Sequence, residues 1–148
     1  MRCLSDDEIE SAVVLLRLSE DHLMLQLGLS AVTLTPAELT LAIERLAGTE
    51  ADTFLAFLHR RGLTRRDELT ERYTRVICED WNYCERRQRG LGDKRFLVDE
   101  LAHIVLSENL RVGVETHRAD LLLCAVVLAR TDLARHCRCD EARLRVAP

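Results

Sequence analysis

The run LLLCAVVLA, residues 121–129, decides the fold. It is apolar on every side of a helix, and a helix hydrophobic all round belongs at the centre of a packed bundle or in a dimer interface. Nine residues fall far short of the roughly 20 that a membrane-crossing helix needs. The surrounding pattern predicts a helix over about residues 115–136.

Outward from that run, helical signals recur on both sides. A stripe of Leu97, Leu101, Ile104 and Val105 predicts a helix over 96–107, and GLGDKR (90–95) reads as the turn before it. Thr64 and Asp67 read as the cap of a long helix reaching about Arg89. TEADTFLAFLHRRG (49–62) predicts another helix with Phe54, Phe57 and Leu58 inward, stopping at Gly62. Thr35, Pro36 and Glu38 open a helix carrying Leu39, Ile43 and Leu46 and ending at Gly48. Ser5 and Glu8 form a capping box ahead of Ile9, Ala12, Val13 and Leu16. Two short alternations, Leu23–Leu25–Leu27–Leu29 and Leu110–Val112–Val114, permit a minor two-stranded β ribbon. The expectation is an all-α, single-domain bundle of about six helices over 1–148, with a frayed tail from about 140. No repeat period is visible.

Composition agrees with a globular chain: of 148 residues, 47% are apolar and 31% charged, with two prolines and six glycines. The net charge of −4 conceals a gradient of −7 over residues 1–58, +4 over 59–95 and −1 over 96–148. Arginines of the basic segment alternate at helical spacing with Asp67, Glu68, Glu71, Glu79 and Glu85, so intrahelical pairing accounts for them and nucleic acid is not the expected partner. The start MRCLSDDEIE is acidic and lacks an apolar run, which points to a cytoplasmic protein. In that compartment the six cysteines are expected as free thiols or metal ligands.

CEDWNYC, residues 78–84, is the densest chemistry in the chain. On a continuous helix, Leu69, Tyr73, Val76, Ile77, Asp80, Tyr83 and Cys84 share an apolar sector, Cys78 lies opposite and Trp81 sits at the margin. Two thiols six positions apart cannot chelate one metal from an unbroken helix. Asp80 is then a carboxylate on a core stripe that needs an arginine, a donor or a proton, unless the stripe there is a bundle edge where Asp80 reaches water. A functional carboxylate in a pocket, or a register-setting polar group at an interface, is the sharper reading. Tyr73, Trp81 and Tyr83 lie among Arg72, Arg75, Arg86 and Arg87, residue types that carry binding energy at interfaces.

Metal and enzyme templates are sparse. His136, Cys137 and Cys139 in HCRC suit zinc, with Cys78, Cys84, Cys124 or His117 completing four ligands only if the fold brings them together. Glu100 and His103 show the E-x-x-H spacing of diiron bundles once, where such a site uses it twice. Cys124 reads as a small core residue, and Cys3 and Cys139 as exposed thiols. There is no G-x-S-x-G elbow, P-loop, G-x-G-x-x-G after a strand or H-E-x-x-H. A helix-turn-helix around RRGLTRRDE would turn Asp67, Glu68 and Glu71 toward phosphates.

The sequence therefore points to a non-enzymatic, cofactor-free adaptor or regulatory module. Its contacts with another protein or with its own copy would run through Arg72, Arg75, Trp81, Arg86 and Arg87, with Asp80 as a buried polar candidate. An acidic partner patch, or the chain's own residues 1–58, would complement that surface. The alternative is a metal- or redox-responsive regulator built on the C-terminal cysteines.

Overall fold

The computed structural model describes residues 3–31, 37, 40, 41, 44, 51–90 and 92–139. Among them every regular element is helical: α1 (Asp6–Leu16), α2 (Glu20–Ala31), α3 (Ala51–Arg75), a π-helical turn (Val76–Asp80), α4 (Tyr83–Arg89), α5 (Lys94–Arg111), α6 (Arg118–Arg130) and α7 (Leu133–His136). The described residues fall into two compact units, one drawn from 1–17 and 69–148 and the other from 18–68. The helix expected from Thr35 to Gly48 and the tail after residue 139 lie largely or wholly outside the described residues.

In the first unit the apolar run is the core. Leu121, Leu122, Leu123 and every residue from Ala125 to Ala129 are buried, while Cys124 is half-buried. α5 packs against α6 with Val98, Leu101, Ala102, Ile104 and Val105, and α1 joins them through Ala12. α6 is shorter than its sequence suggests. It starts only after His117, and extended backbone at Thr131 ends it before Asp132 caps the single turn of α7 by accepting from the Arg135 amide at 3.2 Å.

The capping box of α1 is complete. Ser5 Oγ accepts from the Glu8 amide at 3.2 Å, and Glu8 Oε1 accepts from the Ser5 amide at 3.0 Å. Such a cap is worth about 1 kcal/mol. The chain before it is pinned by Asp99, a buried carboxylate on α5 that accepts from the amides of Cys3 (3.0 Å) and Leu4 (2.8 Å). Arg118, at the start of α6, grips both carboxylate oxygens of Glu8 and donates to the Cys3 carbonyl. A second buried polar chain runs from the Tyr73 hydroxyl to Asn109 Oδ1 (2.7 Å) and from Asn109 Nδ2 to Thr116 Oγ1 (2.8 Å).

The second unit corrects two expectations. Leu23 to Leu29 lie in α2, where Leu23, Met24 and Leu27 form a buried helical stripe and Leu29 is exposed. With Leu110 in the last turn of α5 and 112–114 neither strand nor helix, the ribbon those segments permitted is absent. α3 also runs straight through Gly62 and Thr64, with no stop and no new cap. Gly62 serves close packing instead: a Cβ there would sit 1.9 Å from the Met24 carbonyl oxygen, and one at Gly28 would sit 1.9 Å from that of Leu58. α2 and α3 touch backbone to backbone at these two glycines. That contact offsets the roughly 1 kcal/mol that a mid-helix glycine costs relative to alanine. Leu58 is buried and Phe54 half-buried, whereas Phe57, expected inward, is 41% exposed. On the surface of this unit Arg66 pairs with Glu20 at 2.8 Å and His59 meets Asp21 at 3.0 Å.

Candidate functional site

The long helix expected to reach Arg89 does not continue as one. After Arg75 the ladder widens, and the Trp81 amide donates to the Val76 carbonyl at 2.9 Å, an i to i+5 bond. A π turn inserts an extra residue and rotates everything after it relative to a regular helix. Asn82 then takes the left-handed conformation, φ 57 and ψ 58, and α4 starts afresh at Tyr83. Asparagine is among the few non-glycine residues that adopt this region readily.

This break reverses the helical-wheel assignment. Asp80 is exposed rather than centred on the core stripe. Trp81, expected at the margin, is 8% exposed, and Tyr73 and Tyr83 are buried as the wheel suggested. Burial pushes the Tyr83 phenol up, against the nearby Arg87 charge that lowers it.

Four cysteines hold the break in place. Cys78, in the π turn, is bonded to Cys137, and Cys84, in the first turn of α4, is bonded to Cys139; both pairs have Cα atoms 5.2 Å apart. The expectation of free thiols fails for these four. Cys139, expected as an exposed thiol, is buried within its bond. Cys3 and Cys124 are not disulfide-bonded; burial raises the Cys3 thiol while Arg118 works against it. His136 is exposed. No group of three or more His, Cys, Asp or Glu side chains among the described residues stands ready for a metal ion, the four cysteines being bonded to one another.

A cavity of about 380 Å³ is lined by Asp80, Trp81, Asn82, Glu85, Arg86, Arg89, Gly90 and Phe96. The Arg86 guanidinium lies 5.2 Å from the centroid of the Trp81 ring, and its Nε donates to the Trp81 carbonyl at 2.6 Å. At such an exposed guanidinium the cation–π contact is worth about 0.5–1 kcal/mol. No carboxylate among the described residues pairs with Arg86, whereas Arg89 is tied to Glu85, which also accepts from Asn82. The buried Trp81 Nε1–H meets no acceptor among the described residues. Phe96, half exposed, supplies an apolar wall.

Of the five arginines and aromatics singled out from the sequence, the cavity gathers Trp81 and Arg86. Arg72 instead covers the Tyr73 ring at 5.4 Å, and Arg75 pairs with Glu79 at 3.4 Å. Both contribute to the field that, after the Arg111 hydrogen bond, lowers the Glu108 carboxyl. Arg87 is exposed outside the cavity lining. Sequence reasoning missed Arg89, Glu85, Asn82, Gly90 and Phe96. One signal was available: an asparagine inside a supposed helix is a residue suited to a left-handed break.

Comparison with protein families, with curated proteins and with solved structures returns no match, so the reading of function rests on the chemistry of this cavity and of the cysteines beside it.

Proposed function

We propose that the chain is a non-enzymatic interaction module that takes an acidic segment of a partner protein at the Trp81–Arg86 cavity. The observation that carries this reading is the Arg86 guanidinium, paired with no carboxylate among the described residues, laid over a buried tryptophan at the rim of a cavity. Tryptophan and arginine side by side in a concave site are the residue types that dominate binding energy at interfaces. α4 carries three arginines against one glutamate, which favours an anionic occupant. Asp80 lines the same cavity and opposes an anion there, so the arginines of α4 must outweigh its charge. Arg72, Arg75 and Arg87 would add long-range attraction rather than contacts in the cavity.

Trp81 is the only tryptophan in the chain, so its fluorescence reports on this site directly. Titration with glutamate-rich and matched glutamine-rich peptides is expected to shift its emission for the acidic peptides alone. Arg86→Glu should weaken that binding at least tenfold while leaving helicity intact, and added salt should weaken it too. Equal response to both peptides, or no effect of Arg86→Glu, removes this surface. A second copy of the chain, offering its own acidic residues 1–58, would show instead as dimerisation sensitive to Arg86→Glu.

A second reading, a regulator that answers to thiol redox state, is favoured by the convergence of Cys78, Cys84, Cys137 and Cys139 beside the cavity. No helix among the described residues is long and apolar enough to cross a membrane. Disulfides persist in oxidising compartments and are transient and regulatory in a reducing cytosol. A cytoplasmic chain is therefore expected to open and close these two bonds.

A further inference from the structure

We infer that Cys78, Cys84, Cys137 and Cys139 form a four-thiolate zinc site in the reduced chain. Two disulfides and one zinc ion would then be alternative closures of the same clasp. This rests on the thiol-responsive reading above and names its ligands and its metal.

The four sulfurs come from two short segments that the fold sets against each other. Each bonded pair has its Cα atoms 5.2 Å apart, and Cys137 and Cys139 are separated by one residue, Arg138, whose φ of 53° bends the chain between them. The second pair abuts the first, since Cys84 Sγ lies 3.7 Å from the Cys137 carbonyl oxygen. Zinc holds thiolates at about 2.3 Å in a tetrahedron, so its four sulfurs lie within about 3.8 Å of one another. For one ion to bind, side-chain rotation from the bonded positions must bring the four sulfurs to that spacing.

The clasp also needs a replacement when its bonds open. α7 is a single turn with Leu133 as its only buried residue, too short to stand as an isolated helix. Beside the two disulfides, this segment meets α4 through a short packing contact and the approach of Cys84 Sγ to the Cys137 carbonyl, so a zinc clasp would add to a small interface. Cys139 is 6% exposed, and the other three cysteines are half-buried, so reduction leaves four polarisable thiols packed together. Of the potential ligands anticipated around HCRC, His136 is exposed and Cys124 belongs to α6, which leaves the four sulfurs as a complete set.

The chemistry balances. A dithiol reductant gives two electrons and two protons to each disulfide and becomes a disulfide itself, so two equivalents yield four thiols. Zinc then displaces the four thiol protons to solvent and leaves a tetrathiolate complex. In the reverse direction two equivalents of a cyclic disulfide oxidant accept four electrons and four solvent protons to become dithiols, which expels the metal and restores the two bonds.

The test uses the full chain reduced with a phosphine under nitrogen and titrated with Co²⁺, whose tetrahedral thiolate complex absorbs in the visible. One cobalt per chain is expected, displaced by one zinc, with helicity retained. The disulfide-bonded chain should bind none. Cys3→Ser with Cys124→Ser, and separately His136→Ala, should leave the stoichiometry unchanged, while Cys78→Ser with Cys139→Ser should abolish it. No stoichiometric cobalt on the reduced chain overturns the proposal, as does binding that survives loss of Cys78 and Cys139 or needs His136. A chain whose Trp81 emission changes on reduction yet binds no cobalt loses the zinc site but keeps the thiol-responsive reading. A chain indifferent to reduction loses both.

Discussion

α6 and the segment from the π turn through α4 belong to the same compact unit and are held by opposite means. α6 is thirteen residues of regular helix, eight of them buried, with no crosslink. The other segment has a widened turn, a left-handed asparagine and a seven-residue helix, exposes most of its side chains, and carries two disulfides. Burial can hold an element that presents enough apolar surface, at about 25 cal/mol per Å² removed from water. An element that must keep arginines, carboxylates and a cavity at the surface needs another kind of constraint. The covalent clasp thus sits where the candidate binding chemistry sits, and the two observations have one physical cause.

The sharpest way to break this contrast is to remove the crosslinks. Sequence separations of 59 and 55 residues make either bond alone worth about 4 kcal/mol in the chain-entropy model. With one in place, the other closes a ring of only about eight further residues and adds about 2.5 kcal/mol. Replacing one bonded pair by serine should therefore cost about 2.5 kcal/mol, and replacing both about 6–7 kcal/mol. Urea titration followed by Trp81 fluorescence reads the difference. A double replacement costing no more than the sum of the two single replacements would show that the bonds act separately and not as one clasp.

α6 should behave otherwise. Leu128 is fully buried, and Leu128→Ala is expected to cost about 3 kcal/mol through lost transfer energy and the cavity left behind. The cost should be the same with the disulfides intact or replaced, because side chains without shared partners contribute additively. A cost that changes by more than about 1 kcal/mol on reduction would mean that the clasp also tensions the core.

A smaller effect is expected at Asn82. Its φ of 57° is accessible to glycine without strain and costs most other residues about 1 kcal/mol or more. Asn82→Ala should destabilise by about 1 kcal/mol, while Asn82→Gly should stay within a few tenths, trading the exposed Glu85 hydrogen bond for backbone freedom. A benign Asn82→Ala would show that the disulfides alone impose the break.

The same contrast explains what could be read from the chain. The apolar run at 121–129, the capping box of Ser5 and Glu8 and the all-α class were legible because each depends on neighbours three or four residues away. Gly62 was misread as a helix stop because its partner, Met24, lies in another helix, and nothing local distinguishes a C-terminal glycine from one needed for close packing. Asp80 and Trp81 were exchanged between core and surface because a wheel assumes an unbroken helix, and the π turn adds a residue to it. The cysteine pairing was invisible for the same reason: it joins residues more than fifty apart.

The polar tie at the start of α6 offers the gentlest test. Arg118 hydrogen-bonds both oxygens of Glu8 and, with the Ser5 amide, lowers its carboxyl from 4.5 to about 2. A folded pKa below the unfolded one means stability that is present above about pH 5 and lost as the pH falls toward 2. Arg118 is half exposed, so screening holds the pair to about 1 kcal/mol despite the size of the shift. Arg118→Gln should thus be less stable than the natural chain by about that amount near pH 6. The gap should narrow as the pH falls toward 2, leaving the pH-independent part due to the Cys3 carbonyl bond. High salt should narrow it at neutral pH as well. A gap that stays constant with pH would assign the whole effect of Arg118 to the Cys3 carbonyl and to packing.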